Sequence, residues 1–349
     1  MSKKMKIKPK HRERIKPQAG IPRARRAKSV RRRRRAASRR RRRVSPLLLL
    51  LVLAISAVAG YVLTSNPDLR ISIAQGVGSA WDAVSNALFE ADTPIIIVDG
   101  EIAVHFIDVG QGDSVLIHTD QGSVLIDGGD SHMGQQVVDY LRRAGVTELA
   151  YVVATHPHAD HIGGLIEVLH QLPVGMLIMP PVAHTTLTFE RFLDAIEYNN
   201  VPLREPVVGS SFDVGDAQFT IIAPNSTGHS NLNDYSVSVR LVFGATSFVF
   251  TGDAEATAEL EMIDAGHNLT ADVLHVGHHG SNTSTAQEFL DAIDPSIAVI
   301  NVGAGNSYGH PHNAVMSRLR VAGIRIYRTD HHGNVVVVSD GTNLVVHHD

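Results

Sequence analysis

The 349-residue chain contains no cysteine. Disulfide scaffolds, thiol nucleophiles and cysteine-ligated zinc are therefore excluded. Lysine is absent after Lys28, and aromatic residues make up only 5% of the chain, with Trp81 the single tryptophan. So thin an aromatic content gives no interleaved stacking platform along the sequence for single-stranded nucleic acid. Each part of the chain also lacks charge of one sign. Residues 1–43 hold 22 of the 32 Lys and Arg and one acid, Glu13, for a net charge of +21. The remaining 306 residues carry 10 basic and 34 acidic side chains, for −24. The whole-chain value of −3 averages these opposites, and a single evenly charged cytosolic domain is excluded.

The basic arm includes two five-arginine blocks, Arg31–Arg35 and Arg39–Arg43. Such a run cannot bury a core and is expected to be disordered. Nucleic-acid or anionic-lipid binding is one use for it. The favoured one is topological, because positive charge beside an apolar segment holds that side in the cytoplasm. Leu47–Leu63 supplies the apolar segment: 17 residues without a charged side chain. As a helix it would span roughly 25 Å, and extending it to residues 44–64 fits one membrane crossing. The expected order is a disordered cytoplasmic arm (1–43), a transmembrane anchor (44–64), a juxtamembrane linker (65–100) and an extracytoplasmic domain (101–349). Ala57-Val58-Ala59 also resembles a signal-peptide cleavage site, which would release a secreted domain, but the very long basic region before it favours an anchor.

From residue 101 the pattern becomes regular. Ile102–Asp108, Ser114–His118 and Ser123–Asp127 are short Val- and Ile-rich runs separated by Gly-containing turns, which predicts strands. Gln135–Ala144 is expected to be a helix and Leu149–Ala154 a buried strand. Further strands are expected at 219–223, 236–243, 247–251, 273–276, 297–302, 324–327, 335–339 and 344–347. Helices are expected at 163–171, 189–198, 254–265, 286–293 and 314–321. Early hairpins followed by strand–helix alternation predict sheets with helices on their outer faces. No internal repeat is present.

The chemistry concentrates in Thr155-His156-Pro157-His158-Ala159-Asp160-His161-Ile162-Gly163-Gly164. Histidines two apart in an extended segment point the same way, so His156 and His158 can share one ion. Asp160 and His161 then stand at the mouth of the next helix and can reach a second. Mixed nitrogen and oxygen donors suit zinc, manganese or iron, with an open position for water. A lone histidine is usually structural; four metal-competent side chains within six positions are not readily explained that way.

This motif resembles the His-x-His-x-Asp-His signature of the metallo-β-lactamase-fold hydrolases. Val124-Leu125-Ile126-Asp127-Gly128-Gly129 resembles the strand whose aspartate braces the metal loop. Phe250-Thr251-Gly252-Asp253 resembles the strand end whose carboxylate bridges two ions. Val276-Gly277-His278-His279-Gly280-Ser281 resembles the later loop that gives the second ion a histidine. The segments 105–114 and 306–311 look like the hydrolase domain of ComEC-type competence proteins, a domain that in turn resembles teichoic-acid phosphorylcholine esterases. The resemblance implies an α/β, four-layered αββα sandwich holding two divalent metal ions, with zinc foremost and manganese the alternative. The implied ligands are His156, His158, Asp160, His161, Asp253 and His278. His278 best fits the family's ligand position, which leaves His279 as an acid–base or supporting residue. The family's third-motif histidine has three candidates here, His229, Asn233 and Asp234. Asp113 is expected to orient the metal loop. His310 and His312 either line the cleft or form a helix-start turn, and His331-His332 and His347-His348 are expected to be solvated.

Three functions follow as expectations. Two ions roughly 3.5–4 Å apart would activate a water near neutral pH, with Asp253 bridging them and Asp160 orienting the nucleophile or taking its proton. The ComEC-type segments favour a phosphodiester substrate, DNA or a phosphorylated cell-envelope polymer, although the −24 domain mildly opposes polyanion binding. A β-lactamase or thioesterase would use the same ligands on a carbonyl. A degenerate binding module in DNA uptake or envelope assembly would need no reaction at all.

Overall fold

The computed structural model describes residues 99–349. The basic arm, the apolar segment 44–64 and nearly all of the expected linker lie outside the described residues. Among the described residues no helix is long and apolar enough to cross a membrane.

Two mixed sheets form the centre. The first has eight strands in the order β15-β14-β1-β2-β3-β4-β5-β6, and the second has seven in the order β13-β12-β11-β10-β9-β8-β7. The strands of the first are β1 (Ile102–Phe106), β2 (Val115–Thr119), β3 (Gly122–Ile126), β4 (Leu149–Val153), β5 (Val174–Ile178), β6 (Leu203–Arg204), β14 (Val335–Ser339) and β15 (Leu344–His348). Those of the second are β7 (Ser211–Val214), β8 (Ala217–Ala223), β9 (Ser238–Phe243), β10 (Thr246–Phe250), β11 (Val273–His275), β12 (Ile297–Ile300) and β13 (Arg325–Arg328).

Side-chain alternation along these strands assigns each residue to one of two apolar layers. Val115 and Ile117 face the opposing sheet, where they meet Phe219, Ile221, Phe248 and Phe250. Leu116 and Leu125 face the other way, onto helices α1 (Gly134–Arg143), α3 (Leu165–Gln171) and α4 (Leu187–Tyr198). The second sheet repeats the arrangement. Ile297 and Val299 point between the sheets, and Ala298 and Ile300 point toward α5 (Ala256–Asp264), α6 (Gln287–Ile293) and α7 (Asn313–Val321). Three apolar layers therefore separate helices, sheet, sheet and helices. Because most strands are buried on both faces, they read in sequence as continuous apolar runs.

Strands β3 and β4 run parallel, as do β10, β11 and β12. The segments that leave their C-terminal ends carry the motif residues Asp127, 155–161, Asp253 and 277–280. The expected helix 163–171 is observed as α3, and a single turn, α2 (Ala159–Ile162), precedes it with Gly163-Gly164 between them. A side chain at Gly164 would overlap the Gly128 carbonyl. That close approach lets Gly128 N–H donate to His161 O at 2.8 Å and Gly164 N–H to Gly129 O at 2.8 Å, fastening the metal loop to the bracing strand.

Candidate metal centre

Asp253 follows β10 and is buried, at 3% exposure. Its two carboxylate oxygens face different groups. Oδ1 lies 3.3 Å from His161 Nε2 and 3.6 Å from His279 Nε2. Oδ2 lies 3.7 Å from His156 Nε2 and 3.6 Å from His278 Nε2. Donor atoms of His156, His158 and Asp253 fall within 4.8 Å of one another, and so do those of Asp160, His161 and His279. The aspartate thus stands between two sets of metal-competent side chains.

Hydrogen bonds on the far ring nitrogens aim the imidazoles. Asp127 accepts from Thr155 N–H (2.8 Å), from the Thr155 hydroxyl (2.7 Å) and from His161 Nδ1 (2.8 Å). With its proton given to Asp127, the Thr155 hydroxyl is left to accept from His156 Nδ1 at 3.1 Å. His279 Nδ1 lies 3.1 Å from both the Asn301 carbonyl and Asp113 Oδ1. His278 Nδ1 lies 3.3 Å from Glu255 Oε1. In each of these rings Nε2 is the atom left for the site, an arrangement typical of metal-bound histidine. His161 Nε2, His279 Nε2 and Asp253 Oδ1 are buried without a hydrogen-bond partner. Such orphaned atoms are costly unless something fills the space between them.

The electrostatics agree. Burial alone would lower the His161 imidazole, but Asp253, Asp160 and Asp127 outweigh it and raise it well above the usual histidine range. His279 behaves in the same way under Asp253 and Asp113. Burial would raise the carboxyl of Asp160, yet His161 and His279 hold it below the normal range. This acidic, sulfur-free pocket calls for positive charge, and its donors fit two borderline-to-hard divalent cations. Asp160, His161 and His279 with Asp253 would hold one. His156 and His158 with Asp253 would hold the other, and His278 adjoins that side.

Several sequence expectations are changed by this geometry. The fold brings both His278 and His279 to Asp253: His279 Nε2 joins Asp160 and His161, at 3.4 Å from Asp160 Oδ2, while His278 Nε2 lies on the other side, 3.6 Å from Asp253 Oδ2. Both residues adopt left-handed backbone, with φ of 51° and 53°, and the chain turns so that the second ring points inward. Non-glycine residues adopt such backbone at a cost of about 1–3 kcal/mol each, and it persists where the surroundings enforce it. His229 does not reach the centre. Its Nε2 sits 3.2 Å from Ser226 Oγ and 3.6 Å from Glu261 Oε2, and its ring meets Tyr235 edge-on at 5.1 Å. Asp234 accepts from Glu255 N–H at 3.1 Å, a local structural bond. Of the three third-motif candidates, Asn233 alone lines the cleft, and its Oδ1 is buried and unpaired.

Asp113 packs beneath the metal loop as expected: its N–H donates to Asp160 O at 3.2 Å, while Gly112 leaves no room for a side chain against that same carbonyl. It also meets His275 Nε2, at 3.6 Å. His275 was not singled out in the sequence, where it reads as the end of an apolar strand. His310 lines the cleft, whereas His312 precedes α7 and accepts Asn282 N–H at 2.9 Å. His332 is only half solvated, bonded to Arg328 and edge-on to His348. The cleft itself encloses about 340 Å3, lined by Gln111, His158, Asp160, Asn233, Asp253, His278, His279, Tyr308 and His310 among others.

A two-sheet sandwich with these motifs at one strand edge defines the class. Residues 107–303 match the metallo-beta-lactamase superfamily, and the chain belongs to it. Among curated proteins it is similar to ComE operon protein 3 of Bacillus subtilis (strain 168), with 32% identity over 69% of this chain and 33% of that protein. It is likewise 32% identical to competence protein ComA of Neisseria gonorrhoeae, over 75% of this chain and 36% of that one. Recombination protein 2 of Haemophilus influenzae matches 62% of this chain, again at 32% identity. The chain spans about a third of the length of these relatives. It is therefore a metallo-β-lactamase-superfamily hydrolase related to competence proteins.

Proposed function

We propose that residues 101–349 act as a metal-dependent phosphodiesterase, with DNA the favoured substrate and a phosphorylated cell-envelope polymer the second. The domain would work outside the cytoplasm, tethered through residues 44–64 with the arginine-rich arm inside. The observation that carries the reaction class is Asp253, set between two groups of imidazoles, with His161 Nε2, His279 Nε2 and its own Oδ1 buried and unpaired. The similarity to competence proteins supports the choice of phosphodiester. Bound divalent ions, zinc foremost and manganese the alternative, would supply Lewis acidity and water activation near neutral pH.

The chain's own groups do the rest. Asp160 is held ionised, so its Oδ2 can accept a hydrogen bond from the nucleophile and orient it. His279, fixed through Nδ1, would present Nε2 to the same cation as Asp160. Gln111 and Asn233 present polar groups to the substrate across the cleft. Burial, with the neighbouring His279 and His278, lowers His310 to about 4, so it faces the phosphate side as a neutral ring at working pH.

The test compares metal-reconstituted wild type with His158→Ala and Asp160→Ala on DNA and bis-(p-nitrophenyl) phosphate. Losses on the order of 10²-fold or more are expected in both variants. Equal turnover by variants and wild type would sink the proposal. Rapid hydrolysis of nitrocefin or a glutathione thioester without phosphodiester cleavage would put a carbonyl hydrolase in its place. Failure to retain any divalent metal would favour a binding module.

A further inference from the structure

One side chain at the cleft mouth has no part in the metal centre. Tyr308 is a lining residue of the cleft and yet 65% exposed. Its ring lies nearly parallel to His310, at 22° and 5.6 Å between centroids. His310 stands edge-on to His278 (76°, 5.4 Å) and to His312 (80°, 4.8 Å), so the lower ring of the pair is wedged in place.

The loop beneath is equally fixed. Asn306 Oδ1 accepts from Tyr308 N–H at 3.1 Å and His310 N–H at 3.0 Å, while its Nδ2 donates to the carbonyls of Gly303 and His310. Gly303 N–H donates in turn to Gln111 Oε1 at 3.2 Å. An aromatic face that is exposed but immobilised loses little entropy when another flat group settles on it.

We propose that Tyr308 is a stacking platform for a nucleobase of the strand being cut, which makes single-stranded nucleic acid the preferred phosphodiester. This rests on the phosphodiesterase reading and narrows its substrate. Tyr308 lines the same cleft as Asp160 and Asp253, so a base held on it keeps its own backbone within that cleft. A quaternary ammonium group would need a cage of several aromatic faces. Tyr308 is the one Phe, Tyr or Trp among the cleft-lining residues. A paired duplex keeps its base faces covered and could not use the platform.

The test measures equilibrium binding of hydrolysis-resistant phosphorothioate strands to the full, manganese-loaded chain. An oligothymidylate is compared with an abasic strand of equal length. Wild type should prefer the base-bearing strand by on the order of 10-fold, the size of one base–aromatic stack. Tyr308→Phe should keep that preference, while Tyr308→Ala and Tyr308→Leu abolish it and leave abasic binding unchanged. On cleavable strands Tyr308→Ala should raise KM with little change in kcat. Equal affinity of wild type for both strands, or an equal weakening of both by Tyr308→Ala, overturns the platform. Cleavage of natural strands without base preference overturns it alone. Base preference without cleavage leaves the platform standing and removes the phosphodiesterase.

Discussion

The two sides of Asp253 are built differently. On the Oδ1 side, His161 and His279 are fully buried, and each rests its far nitrogen on a buried carboxylate, Asp127 or Asp113. On the Oδ2 side, His156 rests on the hydroxyls of Thr155 and Ser236, and His158 meets another imidazole, His156, at 3.0 Å. His278, the third ring there, is 21% exposed and backed by Glu255, which is just as exposed. Carboxylate backing raises a ligand's basicity and fixes its orientation, whereas a hydroxyl or a second ring does so less. The Oδ1 side is thus the better prepared, and the Oδ2 side, where Asn233 stands in the third-motif region, should give up its cation first.

Asp253 is the one residue shared by both sides, so its removal breaks the comparison altogether. Asp253→Ala should empty both sides and lower turnover on the order of 10³-fold or more. Metal analysis checks this directly. One ion retained in full by the variant would mean that the aspartate serves a single side.

A smaller effect separates the sides. The buried acids raise His161 and His279 well above the histidine range, so both are protonated at neutral pH when no cation is present. A cation arriving on the Oδ1 side must displace those protons, and its apparent affinity should climb as pH rises. Burial and the charge on His161 lower His156 and His158, so these two rings are already deprotonated near neutrality and cation binding through them should be almost flat in pH. Calorimetric titration from about pH 6 to about pH 8, in buffers of different ionisation enthalpy, distinguishes the two. Asp113→Asn sharpens the contrast: it should weaken the pH-dependent event 10–100-fold, the usual cost of losing a supporting carboxylate, and spare the flat one. Equal pH slopes for both events would show that the two sides are not differently prepared.

How much of this was legible follows the same division. The metal loop at 156–161 is contiguous, so its ligands lie side by side in the sequence. Asp127 and Asp253 end apolar strands and were marked by the glycines beside them. The sides taken by His278 and His279 were not legible, because two left-handed residues in succession set where each ring points, and no local preference announces that backbone. His275 was hidden because its strand is short and apolar, and only the fold brings Asp113 across to it. In the fold, β5, β6 and β7 were missed. β5 is interrupted by Gly175, which lies so close to the Ala150 carbonyl that a side chain would meet it at 2.8 Å. β6 spans only two residues, and β7 mixes exposed polar positions with Phe212 and Val214. Helix boundaries held to within about two residues wherever apolar periodicity was strong.

His229 is the smallest test of the contrast and the cleanest. From the sequence it could have completed the Oδ2 side; in the fold it joins Ser226 and Glu261 to hold the segment after β8 against α5. The Ser226 hydroxyl donates to Glu261 Oε1 at 2.7 Å, so Ser226 accepts from the His229 ring, and removing the ring leaves a bond unmade at the surface of the helix. His229→Ala should therefore cost about 1 kcal/mol, the net value of one such hydrogen bond, and lower Tm by about 2–4 °C. Metal stoichiometry, the pH slopes of both binding events and kcat should all stay within about twofold of wild type, since the ring's own partners, Ser226, Glu261 and Tyr235, do not line the cleft. Loss of the flat binding event in His229→Ala would instead make it a ligand reached by movement of the 224–235 segment. The weaker side of Asp253 would then be weak only in the resting arrangement of that segment.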